Sequence, residues 1–224
     1  MPAVPQPLPS GGELRVVGPA GAPAVVCVNG GQRAEVEGTW SASLEWLVER
    51  LVPRFPELRF AEVRYRVKSW NRLGSCVEDA REAIRAVGAA HTLLVGFSMG
   101  GAVAASCADE PSVEGVVGIA PWFPDRLSLE PLRGRRLWVI HGSFDRALPG
   151  VPGVSPASSR RGFERAVALG VAGEYTVVPR AVHGLALRAP GGRPVPLPRA
   201  RRLAALVAAD VSRFAVGGLA ANRP

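Results

Sequence analysis

The chain has 224 residues, 47% of them hydrophobic and 21% charged, which is the composition of a folded globular protein rather than a disordered or fibrous one. No apolar run reaches the roughly 18 to 20 residues of a membrane-spanning helix. The first residues also lack the basic and apolar regions of a signal peptide, so we expect a cytoplasmic protein without a membrane span.

The net charge of +8 comes almost entirely from arginines, which occur in short scattered groups without interleaved aromatic residues or a recognisable binding motif. No nucleic-acid partner is therefore predicted. The three cysteines, Cys27, Cys76 and Cys107, lack the spacing of metal ligands, and we expect them to be buried, reduced thiols. Because a glycine-rich phosphate loop is also missing from the sequence, no metal and no cofactor are predicted.

Length and composition favour a single domain over residues 13–224, preceded by an irregular, proline- and glycine-rich lead-in over residues 1–12. Apolar runs predict strands, and apolar residues at helical spacing predict helices. In chain order, the predicted strands are 14–17, 24–28, 60–67, 92–96, 113–119, 136–141 and 174–178. The predicted helices are 40–54, 72–87, 99 to about 109, 158–169 and 199–214. This alternation predicts an α/β fold with a mostly parallel sheet covered by helices on both faces.

A strand, a Gly-x-Ser-x-Gly pattern and a small-residue helix follow one another at residues 92–109, with Ser98 at the centre. A serine on a sharp strand-to-helix turn exposes its Oγ, and flanking glycines let the strand and the helix approach closely. Ser98 is therefore the candidate nucleophile.

A serine hydroxyl needs a base to accept its proton and an acid to orient that base. His183 follows the last predicted strand and is the candidate base; His91 lies at the opposite end of a strand, and His141 is expected to have a structural role. Asp145 follows the preceding strand and is the candidate acid, with Asp125 as its competitor. Since the carboxyl ends of parallel strands share one edge of a sheet, the three candidates can converge there.

With Ser98, Asp145 and His183 in this order, the chain resembles the α/β-hydrolases, and in its small size it is similar to their dienelactone-hydrolase-like and carboxylesterase-like members. The dienelactone hydrolases are a variant in which the nucleophile is a cysteine, whereas this chain has Ser98 at that position. The Met99 N–H is expected to be one oxyanion-hole donor. Where many members carry His-Gly, this chain has Asn29-Gly30, and the match implies that Gly31 supplies the second N–H.

The resemblance implies a serine hydrolase that cleaves carboxylic esters or thioesters of a small acyl substrate. An acyltransferase with the same triad and a non-catalytic binding protein on the same scaffold are the alternatives. Residues 121–135 are too few for a lid domain, and Trp122 and Phe123 are candidate pocket residues. Arg64, Arg66 and Lys68 alternate, which is typical of a solvated strand face; binding of an anionic substrate is a second interpretation.

Overall fold

An eight-stranded, mostly parallel sheet organises the computed structural model, which describes residues 4–146 and 153–221. The sheet strands are β1 (Gln6–Pro7), β2 (Glu13–Val17), β3 (Ala24–Val28), β4 (Arg59–Arg64), β5 (Thr92–Phe97), β6 (Val113–Ile119), β7 (Arg136–Gly142) and β8 (Ala172–Val178). A separate hairpin is formed by β9 (Ala186–Arg188) and β10 (Pro194–Pro196). The α-helices are α1 (Ala42–Leu51), α2 (Leu73–Val87), α3 (Met99–Ser106), α4 (Pro156–Ala168) and α5 (Ala200–Ala221).

Both faces of the sheet are buried, as the apolar strands predict. All five residues of β3 are fully buried, and they alternate between two apolar clusters. Val26 and Val28 belong to the cluster that contains residues of α2 and α3, whereas Val25 and Cys27 belong to the cluster that contains residues of α1 and α5. The predicted α/β architecture with helices on both faces is therefore confirmed.

The strand order is β1-β2-β4-β3-β5-β6-β7-β8, with parallel pairing from β4 through to β8 and antiparallel pairing at β1 and β2. The chain moves outward from β3 to β4 and then returns to the other side of β3 to form β5. Ligands bind in open α/β sheets at the point where the strand order reverses in this way. This point lies between the carboxyl ends of β3 and β5, beside Ser98.

Several element boundaries differ from the predicted ones. Helix α1 begins at Ala42 because the Ser41 side chain accepts a hydrogen bond from the Leu44 N–H, and a 3-10 turn containing Pro53 follows its end at Leu51. Strand β4 ends at Arg64, three residues earlier than predicted. Helix α5 is longer than predicted and continues to Ala221.

The lead-in over residues 1–12 is more ordered than the composition predicts. Gln6 and Pro7 pair with β2, and the turn that joins the two strands is closed by hydrogen bonds between Leu8 and Gly12 and between Gly11 and Leu8. The buried Leu8 side chain fixes this turn against the core, so the expectation of an irregular segment is wrong for residues 6–8. Residues 1–3 lie outside the described part of the chain.

Between β6 and β7, a single 3-10 turn (Glu130–Leu132) is the only helical element, so the prediction that no lid is inserted here agrees with the structure. In the described ranges, no helix is both long and apolar enough to cross a bilayer. The three cysteines are buried and unpaired, and burial raises the pKa of Cys76 to about 11 and that of Cys107 to about 12.

Candidate active site

Ser98 stands on a sharp turn between β5 and α3. Its backbone has φ 56° and ψ −120°, a region that residues with a side chain rarely adopt. Hydrogen bonds fix this conformation from both sides: the Ser98 N–H donates to the Ile119 carbonyl oxygen (3.0 Å), and the Ser98 carbonyl oxygen accepts from Gly101 N and Trp122 N (2.9 Å each). The surrounding backbone therefore holds the strained turn in place.

Two glycines allow the turn to form, as the sequence predicts. A Cβ added at Gly96 would overlap the carbonyl oxygen of Gly100, and one added at Gly100 would overlap the carbonyl oxygen of Val28. Both obstacles are backbone atoms, which cannot rotate away as a side chain can. Strand β5, helix α3 and the end of β3 can approach one another only because these positions lack side chains.

Asp145 and His183 meet at the same end of the sheet. The Nδ1 atom of His183 lies 2.7 Å from Oδ2 of Asp145, and both side chains are buried. Because the ionised carboxylate can only accept, this contact places the imidazole proton on Nδ1 and leaves Nε2 as an acceptor. A base with this tautomer can receive a proton from a hydroxyl group.

A second histidine and a backbone N–H also contact the Asp145 carboxylate. His141 Nε2 lies 3.1 Å from Asp145 Oδ2 and 2.9 Å from the Val154 carbonyl oxygen, while Val154 N donates to Asp145 Oδ1 at 3.0 Å. Burial by itself raises the pKa of Asp145, but the hydrogen bonds from His141 and His183 outweigh burial and hold this pKa below its ordinary value. The carboxylate therefore stays ionised although it is buried.

The loop that carries His183 is held by Ser43, a residue that the sequence analysis did not identify. Ser43 Oγ accepts hydrogen bonds from Leu185 N (3.0 Å) and Ala186 N (3.1 Å) and donates to the Ala186 carbonyl oxygen (3.0 Å). Ser43 lies on the same face of α1 as Leu47, four residues later, so a serine on an otherwise apolar helix face was the signal in the sequence.

Ser98 and His183 line one small cavity of about 170 Å³ at the switch point of the sheet. Its lining residues are Asn29, Gly30, Gly31, Gln32, Ser43, Lys68, Phe97, Ser98, His183, Ala186 and Leu187. Within the described residues, the Ser98 hydroxyl and the His183 ring make no hydrogen bond to one another. Catalytic hydrogen bonds are often long in the absence of substrate and shorten when it binds.

The two residues predicted to form the oxyanion hole, Gly31 and Met99, contact each other. A Cβ at Gly31 would overlap the sulfur atom of the Met99 side chain, so the Gly31 backbone packs directly against Met99. In residues 4–146 and 153–221, no hydrogen bond engages the N–H of either residue. The neighbouring Gly30 N–H, by contrast, donates to Asn29 Oδ1 at 2.7 Å. Gly31 and Met99 therefore keep free donors beside Ser98.

No protein-family model matches the sequence, and no curated protein matches it either. Solved structures do match. The chain superposes on an α/β serine hydrolase homologue from Coxiella burnetii with a TM-score of 0.66 at 17% identity, over 92% of this chain and 95% of the other. An esterase from Exiguobacterium antarcticum gives a TM-score of 0.64 at 12% identity (94% and 99% covered), and a dienelactone hydrolase from Anabaena variabilis gives 0.62 at 16% identity (95% and 98% covered).

The chain has the α/β-hydrolase fold. The resemblance inferred from Ser98, Asp145 and His183 is thereby confirmed at the level of the fold, over nearly the whole chain.

Two predicted pocket residues of this α/β-hydrolase-fold chain lie elsewhere. Phe123 is 1% exposed and packs into the core, where its ring fills the space beside Gly162. Trp122 is half-buried against Trp70, with 6.3 Å between the ring centroids. Neither lines this cavity: the burial of Phe123 contradicts its predicted place in the pocket, whereas that of Trp122 stays a prediction. The position of a residue directly after a strand predicts the end of the sheet at which it lies, but it does not predict the direction of its side chain.

The competing acid and base lie away from this cavity. The Asp125 side chain is 88% exposed and lies 3.9 Å from Arg165. His91 pairs with Glu114 at the opposite end of β5. Of the candidates considered, Asp145 and His183 are therefore the two that the fold brings together.

Proposed function

We propose that the chain is a serine hydrolase that cleaves carboxylic esters or thioesters through an acyl-enzyme on Ser98. The observation that carries the proposal is the 2.7 Å contact between His183 and the buried Asp145, at a cavity into which Ser98 also opens. The similarity to esterase and hydrolase structures supports the same class of reaction.

In the acylation step, His183 Nε2 accepts the Ser98 proton while Oγ attacks the carbonyl carbon of the substrate. The carbonyl oxygen becomes an oxyanion, which the N–H groups of Gly31 and Met99 stabilise, each by about 3 kcal/mol. The intermediate then collapses, the bond to the leaving oxygen or sulfur breaks, and His183 returns its proton to the leaving group. An acyl group remains on Ser98.

In the deacylation step, water takes the place of the alcohol or thiol. His183 Nε2 accepts a proton from the water as its oxygen attacks the acyl carbon, and then gives the proton to Ser98 Oγ as the acid leaves. Asp145 keeps the imidazole in the required tautomer and stabilises the imidazolium that forms in both steps. Its depressed pKa keeps it ionised throughout the neutral pH range.

The first test is covalent labelling with a fluorophosphonate probe, followed by mass spectrometry. We expect one adduct per chain, located on Ser98, and none in Ser98→Ala. His183→Ala should label at least about 10³-fold more slowly, because the hydroxyl then lacks its base. His91→Ala is the matched control: it also removes a histidine, but at the opposite end of β5, and it should label at the wild-type rate.

The unlabelled wild-type protein should also hydrolyse 4-nitrophenyl acetate with a burst of nitrophenol that equals the enzyme concentration, because acylation releases the alcohol before water attacks. Prior labelling of Ser98 should abolish this burst. A folded wild-type protein that forms no adduct at Ser98 would contradict the proposal and favour a binding protein on the same scaffold. A protein that forms the adduct at Ser98, but turns over 4-nitrophenyl acetate only when an alcohol or thiol is added, would favour the acyltransferase.

A further inference from the structure

Lys68 is the only lysine in a chain that has 27 lysine and arginine residues, and its side chain lines the same cavity as Ser98 and His183. The residues that line this cavity include no other lysine or arginine. The cavity therefore combines one positive charge with the candidate catalytic groups.

Lys68 differs from the neighbouring arginines in having no acidic partner. Arg64 pairs with Glu13 and Glu37, Arg66 with Glu78 and Asp79, and Arg188 with Glu45. In the described residues, no carboxylate lies within 4.0 Å of the Lys68 ammonium group. The sequence outside the described ranges contains no aspartate or glutamate.

The hydrogen bonds of Lys68 leave donors available. Its Nζ donates to Thr39 Oγ1 at 2.8 Å and makes no other hydrogen bond to the described residues. An ammonium group has three donors, so two remain for a ligand. Burial lowers the pKa of Lys68, and burying a charge without a partner is unfavourable. A bound anion would offset this cost.

The ammonium group is also tied to the loop that carries the predicted oxyanion donors. Thr39, which accepts from Lys68, accepts a second hydrogen bond through its carbonyl oxygen from Asn29 Nδ2 (2.8 Å). The Asn29 carbonyl oxygen in turn accepts from the buried Tyr65 hydroxyl group (2.9 Å). These contacts place the positive charge in a fixed position relative to the end of β3.

We propose that Lys68 binds a carboxylate group of the substrate, so that the preferred substrates are small esters or thioesters with a free carboxylate. This inference rests on the proposed hydrolase function. A single ammonium group balances the one negative charge of a carboxylate, whereas a phosphate dianion would keep one charge uncompensated in this cavity. Phe97, Ala186 and Leu187 also line the cavity and provide apolar contacts for the carbon chain that joins the carboxylate to the ester.

The test compares pairs of similar substrates in which one member carries a free carboxylate and the other is neutral. For a carboxylate on the acyl side, the pair is the 4-nitrophenyl monoester of glutaric acid and 4-nitrophenyl pentanoate. For a carboxylate on the leaving group, the pair is 4-acetoxybenzoate and its methyl ester. We expect wild-type kcat/KM to favour the charged member of one pair, which also identifies the side that carries the carboxylate.

The charged-to-neutral ratio of kcat/KM should fall about 10- to 100-fold in Lys68→Met and in Lys68→Gln, and Lys68→Arg should keep most of the preference. The change should appear mainly in KM, because the contact is made in both the ground state and the transition state. Arg126→Met is the matched control, since Arg126 is exposed and lies outside the cavity, and its ratio should equal that of the wild type.

A measurement on the wild type alone supplements the variants. The preference for the charged substrate should decrease between about 0.05 and about 0.5 M NaCl, because salt screens a partly exposed ion pair. A wild type that hydrolyses both members of each pair at similar, salt-independent rates would overturn the role of Lys68 and leave the hydrolase function intact. A folded wild type that hydrolyses no ester and forms no fluorophosphonate adduct would overturn both.

Discussion

Asp145 shows how a buried carboxylate can be kept ionised beside His183, the candidate base. Three donors surround it, from His183, His141 and Val154, and the ring of His141 is itself completely buried and stacked on Tyr175 at 6.3 Å. His141 thus connects Asp145 to the backbone at Val154, nine residues later in the chain. We regard it as a structural support of the acid rather than as a proton donor to substrate.

At the residue scale, replacing a candidate acid with its amide tests which aspartate orients His183. Asp145→Asn should lower kcat about 10³- to 10⁴-fold, because the amide group can donate to Nδ1 and stabilise the wrong tautomer of His183. Asp125→Asn makes the same chemical change at an exposed position and should leave kcat unaltered. Steady-state hydrolysis of a 4-nitrophenyl ester measures both variants. A larger loss of kcat in Asp125→Asn than in Asp145→Asn would show that the acid is Asp125, which follows β6, and not Asp145, which follows β7.

At the scale of elements, the turn after β5 depends on close contact between three backbone segments. Gly100→Ala should lower the free energy of unfolding by about 2 kcal/mol or more, since the new Cβ would overlap the Val28 carbonyl oxygen and force β3 and α3 apart. Gly74→Ala is the matched control because nothing lies within 4 Å of the added atom in α2. That variant should be neutral or stabilised by up to about 1 kcal/mol.

Urea unfolding, with the midpoint and slope fitted for each variant, measures the difference between the two glycines. Equal midpoints for Gly100→Ala and Gly74→Ala would show that the turn between β5 and α3 can accommodate a side chain, contrary to the geometry of β3 and α3.

The elements that the sequence predicted correctly share a physical property: each buries a regular apolar pattern against the core. Strands β3 and β5 to β7 are continuous apolar runs, and Ser98, Asp145 and His183 could be located because they follow predicted strands. Strands β9 and β10 have three residues each, and β10 begins and ends with proline, so neither carries a recognisable pattern. Their existence depends on contacts with α1 that are distant in sequence.

The directions of the side chains at the site depend on tertiary contacts of the same kind. Lys68 follows the point where the chain leaves β4, and only the folded loop around Thr39 directs it toward the cavity. Phe123 follows a strand as Asp145 does, but it turns into the core because Gly162 leaves room for its ring. Periodicity and strand ends identify the edge of the sheet, whereas the direction of each side chain is decided by its packing.

At the scale of the whole molecule, the pH dependence of stability should reflect Asp210 in α5. Its side chain is 7% exposed, and burial, together with the nearby Glu174, raises its pKa from 3.8 to about 6 despite the Arg213 partner. The folded state therefore binds this proton more tightly than the unfolded state, so stability falls as the pH rises between these two pKa values. Above about pH 6, the buried charge is a constant cost to the folded state.

Asp210→Asn removes this titration while keeping the shape of the side chain. Relative to the wild type, the variant should gain about 1 to 3 kcal/mol of stability as the pH rises from about 4 to about 8. Urea unfolding at several pH values measures the difference, with the exposed Asp125→Asn as the control that should show no such trend. A difference that stays constant with pH would mean that Asp210 has the same pKa in the folded and unfolded states.

The strained backbone at Ser98 lowers the stability of the protein at the position that the proposed chemistry requires. A residue with a side chain held at φ 56° and ψ −120° costs roughly 1 to 3 kcal/mol, a cost that glycine largely avoids. Laboratory evolution that selects for thermal stability alone is therefore expected to accept glycine at position 98 and so remove the proposed nucleophile. A screen for more thermostable variants of this chain needs to measure turnover in every round, since the gain in stability from glycine at position 98 coincides with the loss of the proposed activity.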